Sequence, residues 1–178
     1  MYTNIKHERE RSITMSDSTD LDILELEEDT LKGRYLTFAL GSESYGIEIR
    51  FVTEIIGIQT ITEVPELPDY VKGIINLRGK IIPVMDVRLR FKKQFREYND
   101  RTCIIVIDIQ TVSIGLIVDS VSEVITIPDE EIVAPPDISR DGNRFISGIG
   151  KVSNEVKLIL DCDMLLNEHE INHLTNNK

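Results

Sequence analysis

From Arg34 to Leu160 the apolar residues come in short runs rich in Ile and Val, punctuated by glycine, proline and acids. Runs of this length and composition predict β-strands. Strands are expected over Arg34–Leu40 and Tyr45–Ile49, joined across GSES, and over Gly73–Leu77 and Ile81–Met85, which close around Arg78, Gly79 and Lys80. Further strands are expected over Thr102–Ile109, Val112–Val118, Glu123–Ile127, Phe145–Val152 and Val156–Leu160. Pro128, Pro135 and Pro136 mark a non-helical connection, and SRDGN (139–143) a loop. One helix is predicted, capped by Asp161 or Asp163 and running through MLLNEH, with a helical turn in VRLRF after Asp86. The stretch IRFVTEII (49–56) fits strand and helix equally.

The pattern repeats. YGIEIRFVTEII (45–56) aligns without gaps on IGLIVDSVSEVI (114–125), matching Gly46 with Gly115, Val52 with Val121 and Glu54 with Glu123. YVKGIINLRGKIIPVMDVRLRF (70–91) aligns on FISGIGKVSNEVKLILDCDMLL (145–166), matching Gly73 with Gly148 and Asp86 with Asp161. Two matches in the same order, within 45–91 and 114–166, indicate a duplicated β-lobe, each copy too slight to hold alone and sharing a core with the other. The hairpin tips differ. Asn76-Leu77-Arg78-Gly79-Lys80 faces Lys151-Val152-Ser153-Asn154-Glu155, so the architecture does not itself require an arginine at the first tip.

Composition narrows the function classes. At 178 residues and 41% hydrophobic the chain can bury a core, and no apolar run approaches the ~18 residues of a membrane helix. A net charge of −11 argues against nucleic acid as a partner. Residues 1–33, with nine acids against four bases, are expected to be a disordered acidic tail, and 169–178 a loose C-terminal tail. The opening MYTNIKHERERS lacks the apolar core of a secretory signal, and Cys103 and Cys162, in apolar contexts, read as reduced thiols, which points to the cytoplasm.

Catalytic chemistry finds little support. His7, His169 and His173 lie in or beside the tails, so a nucleophile–histidine device has no histidine held in the fold. His169 and His173, spaced i, i+4 beside Glu170, read as a solvated helix end and not as metal ligands. Asp86, Asp108, Asp119 and Asp161 sit at strand ends, where caps and turns account for them. LGSESYG lacks the lysine of a phosphate loop. Neither an enzyme nor a cofactor is expected.

YLTFALGSESYGIEIRFVTEII, VPELPDYVKGIINLRGKIIPVMDVRLRF, IGLIVDSVSEVITI and the FISGIGKV…LILDCDMLL stretch together resemble the CheW family of chemotaxis coupling proteins over residues 34–168. NLRGKIIPVMDVR is the most specific block. The resemblance implies an all-β fold of two intertwined five-stranded SH3-like barrels and no catalysis. It implies an adaptor that links methyl-accepting chemotaxis receptors, at their cytoplasmic tips, to the regulatory domain of the histidine kinase CheA, and that meets a membrane only through the receptors. CheV proteins, which fuse such a module to a receiver domain, begin similarly; the chain's end soon after the last helix favours the free-standing form. Carried over by position, Val52, Gly73, Arg78, Val121 and Val124 fall at the receptor surface, and Glu54, Ile55 and Asn76 at the kinase surface. Arg78 is expected at the surface, reaching toward Glu54. The residues alone also allow the valines to be core and Gly73 to serve backbone geometry. A pathway with a non-flagellar output and a small structural homodimer remain alternatives; a ligand-binding barrel has too few inward-facing polar groups.

Overall fold

The computed structural model describes residues 30–136, 144–166 and 170. Residues Met1–Lys32 form a unit of their own, described only at its last three positions, and Gly33–Lys178 form the second. Residues 1–29 of the expected acidic tail, the SRDGN loop, the predicted helix's 167–169, the C-terminal tail apart from Glu170, and His7, His169 and His173 therefore lie outside the described residues.

The second unit is built almost entirely of strands: β1 Arg34–Leu40, β2 Glu43–Glu48, β3 Val52–Gly57, β4 Val71–Leu77, β5 Lys80–Asp86, β6 Cys103–Ile109, β7 Val112–Val118, β8 Ser120–Thr126, β9 Ile132–Val133, β10 Ile146–Val152 and β11 Glu155–Leu160. Short helices α1 (Val87–Arg90) and α2 (Cys162–Leu165) follow β5 and β11. One sheet runs β3-β6-β7-β5-β4 and the other β8-β1-β2-β11-β10-β9. The repeat alignment matches β3 with β8, β4 with β10 and β5 with β11, and the two sheets share one order apart from β9, which the second adds at its edge.

The repeats are interlaced. The β1–β2 hairpin sits in the second sheet between β8 and β11, and β6–β7 sits in the first between β3 and β5. Each insertion creates one parallel pairing, β2 on β11 and β7 on β5, in an otherwise antiparallel sheet. Gly46 lies opposite Ile159, and its repeat counterpart Gly115 lies opposite Val84. A β-carbon on Gly115 would stand 2.8 Å from Val84 Cγ1 and one on Gly46 3.1 Å from Ile159 Cδ1, so a missing side chain admits the crossing strand in both copies.

This arrangement explains the continuous apolar runs. Along β6, Ile105 and Ile107 enter a core that spans both sheets, with Phe38, Leu40, Ile47, Met85 and Leu116. Ile104 and Val106, on the opposite face, enter a smaller core inside the first sheet with Ile75, Ile82 and Val84. Tyr35, Ile127 and Ile159 form the matching core of the second. Both faces of the central strands are buried, so alternation disappears there and survives at the edge strand β3.

The predicted strands are present with adjusted ends. The ambiguous IRFVTEII divides into a 3-10 turn, Ile49–Phe51, and β3, so Ile49 leaves the expected strand where the chain crosses between sheets. β8 begins earlier than expected, at Ser120, and releases Ile127, which is buried with its N–H donated to Gly33. The proline-flanked connection contains an unexpected short strand, β9, paired with β10. Asp161, rather than Asp163, caps α2, its carboxylate accepting the Met164 N–H as Asp86 accepts that of Leu89.

Candidate contact surface

The first sheet ends at β3 on one side and β4 on the other. The tip of the β4–β5 hairpin is a two-residue turn, Arg78 and Gly79, closed by the Leu77–Lys80 pair. Both turn residues have positive φ, +53° and +83°, the conformation whose twist matches a hairpin. Asn76 steadies it by accepting the Gly79 N–H at 2.9 Å. Ser153, at the sister tip, has φ +54°, so the backbone bend belongs to the duplicated architecture and only the guanidinium is peculiar to the first lobe.

That guanidinium reaches across the open side of the sheet. Arg78 Nη1 and Nη2 donate to Glu54 Oε1 and Oε2, each at 3.0 Å, in a two-point fork. The arginine is 77% exposed and the carboxylate 26%. A bulge between Val52 and Glu54 sets the phase of β3, with Ile55 turned outward and 44% exposed. Its repeat counterpart Val124, on β8, is 40% exposed. Val52 and Val121, also counterparts, are half-buried and pack against the shared core.

Gly73 is buried, and its geometry leaves no room for another residue. Its φ is +139°, and a β-carbon would stand 2.1 Å from the Thr62 carbonyl oxygen. Thr62 and Ile74 exchange two backbone hydrogen bonds there, each 2.9 Å, tying the incoming loop to β4. The eight positions thus divide: Glu54, Arg78 and Asn76 join at the hairpin tip, Val52 and Ile55 flank them on β3, Gly73 is buried within β4, and Val121 and Val124 belong to the other sheet.

A second polar cluster escaped the reading of the sequence. Asp119 lies where the chain passes from β7 to β8, between sheets. Its carboxylate accepts Arg88 Nε at 2.7 Å and Nη2 at 2.8 Å, the Gly41 N–H at 2.7 Å, and Arg96 Nη1 at 3.3 Å. Burial alone would push this carboxyl up; the Arg88 and Gly41 hydrogen bonds outweigh that and hold it below its ordinary value. The same contact raises Arg88. Asp119 is therefore a bridge between sheets and not merely a turn residue. The sequence places Arg88 in a helical turn but carries no signal of the distant partner.

A doubled, hairpin-exchanged β-fold whose lobes differ at an exposed polar hairpin tip defines a class of interaction module. The CheW-like domain family matches residues 34–170, and the chain belongs to that family. Similar proteins include a chemotaxis protein CheW of Klebsiella aerogenes, 33% identical over 144 residues that cover 80% of this chain and 87% of that one. Another is a chemotaxis protein CheW of Bacillus subtilis, 33% identical over 136 residues, 76% of this chain and 87% of that one. The crystal structure of the scaffolding protein TtCheW from Thermoanaerobacter tengcongensis superposes with a TM-score of 0.71 at 38% identity, covering 76% of this chain and 88% of that one. No helix among the described residues is long and apolar enough to cross a membrane.

Proposed function

We propose that this chain is a non-catalytic chemotaxis adaptor that couples the cytoplasmic tips of methyl-accepting receptors to the regulatory domain of a CheA-type histidine kinase. The observation that carries the reading is the Arg78–Glu54 fork, exposed on one lobe and absent from its structural double, where Ser153 occupies the tip. Family membership and the scaffolding role named for its solved relative support the same reading. Val52, Gly73, Arg78, Val121 and Val124 are assigned to the receptor side, and Glu54, Ile55 and Asn76 to the kinase side. Since Arg78 and Glu54 are bonded to each other, the two surfaces meet at this pair.

An exposed pair adds only ~0.2–1 kcal/mol to stability. A contact at the heart of an interface costs ~2 kcal/mol or more on truncation, about thirtyfold in affinity. Arg78→Ala should keep the wild-type melting curve and lose receptor-tip binding in titration calorimetry, while Ser153→Ala changes neither. Unchanged binding by Arg78→Ala, with the fold intact, rejects the assignment.

A further inference from the structure

The end of α1 buries a charge. Arg90 has a side chain only 6% exposed, and its Nε donates to the Leu165 carbonyl at 2.9 Å. Its guanidinium lies 4.2 Å from the Tyr70 ring centre and 5.0 Å from that of Phe145. Nη1 and Nη2 converge on the two carboxylate oxygens of Glu170 at 3.3 and 3.1 Å, and the Tyr70 hydroxyl donates to the same carboxylate. Burial, with a smaller push from the Arg144 guanidinium, pulls Arg90 down to about 10.

The repeat shows that this device is an addition to the fold. In the alignment Tyr70 matches Phe145 and Arg90 matches Leu165, the very residues it touches. The second copy fills these positions with a phenyl ring and a leucine, so apolar side chains satisfy the architecture. The first copy instead carries a hydroxyl and a buried guanidinium that converge on one carboxylate.

We propose that Arg90, Tyr70 and Phe145 form a carboxylate-binding socket at the junction of the two repeats, filled in cis by Glu170. Two parallel donors and a hydroxyl match a carboxylate's oxygens, and the flanking rings exclude water and strengthen each bond. Leaving one member of such a pair alone is costly, whereas replacing the whole set with apolar groups is not.

Thermal melting of full-length variants tests this. Glu170→Ala should lower the melting temperature by about 6 °C or more. Sodium acetate at about 200 mM should then recover about 3 °C beyond what equal sodium chloride gives, since a free carboxylate binds the emptied socket and stabilises by linkage. Wild type, with its socket filled, should show no such difference. The triple variant Tyr70→Phe, Arg90→Leu, Glu170→Ala copies the second repeat at the two socket positions and removes the carboxylate; it should melt near wild type and ignore acetate. The proposal is overturned if Glu170→Ala melts like wild type, if acetate acts on all three proteins alike, or if the triple variant melts no higher than Glu170→Ala.

Discussion

Gly73→Ala separates a fold residue from a contact residue. At φ +139° an alanine is held in a region essentially reserved for glycine, which costs ~1–3 kcal/mol. Its methyl would also stand 2.1 Å from the Thr62 oxygen and 2.8 Å from the Thr62 carbonyl carbon, both backbone atoms that no rotamer change can remove. Relief requires the loop to withdraw, which breaks the two Thr62–Ile74 hydrogen bonds, each worth ~0.5–1.5 kcal/mol net. The sum is about 2–6 kcal/mol, or a fall in melting temperature of about 4–24 °C for a domain of this size. Gly79→Ala is the control: its φ of +83° is also left-handed, but nothing lies within 4 Å of the added carbon, so about 1 kcal/mol is expected. Urea unfolding of both variants gives the answer. A Gly73→Ala loss below about 1 kcal/mol, or one no larger than that of Gly79→Ala, would refute the steric argument. A large loss means that any coupling defect in a Gly73 variant passes through the strand, and Gly73 leaves the list of direct receptor contacts.

Asp119 should govern acid stability. Its carboxyl is held below its unfolded value, so its contribution is fully present above the unfolded value near 4 and is lost as pH falls through the folded one. Asp119→Asn should flatten the acid limb of a stability–pH curve below pH ~4, and an unchanged limb contradicts the bridge. Asp86 and Asp161 are equivalent helix caps, but Asp86 is buried and also accepts the Tyr98 hydroxyl at 2.8 Å. Asp86→Ala should therefore cost ~1–3 kcal/mol more than Asp161→Ala, whose loss is a cap worth ~1 kcal/mol; equal losses in urea melts rule this out.

Much of the fold was legible because duplication doubles every signal. The apolar runs located the strands, and the paired Gly46/Gly115 and Asp86/Asp161 positions recur as crossings and caps. What the runs could not show is which sheet a hairpin joins. An isoleucine run buried on both faces, as in β6, reads the same in either sheet, and the exchange is decided by long-range packing. β9 was illegible because two residues between prolines carry no periodicity. Of the candidate site, the Arg78–Glu54 fork was legible because the sister tip carries Ser153 instead of an arginine and the family resemblance puts Glu54 on the same surface as Arg78. The Asp119–Arg88 and Arg90–Glu170 pairs were not, because ion pairs between distant segments leave no spacing to find.

The most direct measurement of the central claim is the phosphorylation rate of a CheA-type kinase reconstituted with receptor-bearing membranes and this protein. The account predicts that wild-type protein makes kinase activity depend on receptor ligand. Arg78→Ala, folded to the same melting temperature, should lose most of that dependence, on the order of tenfold or more in the protein concentration required. Receptor control that is absent with the wild-type protein, or that survives Arg78→Ala undiminished, contradicts the account.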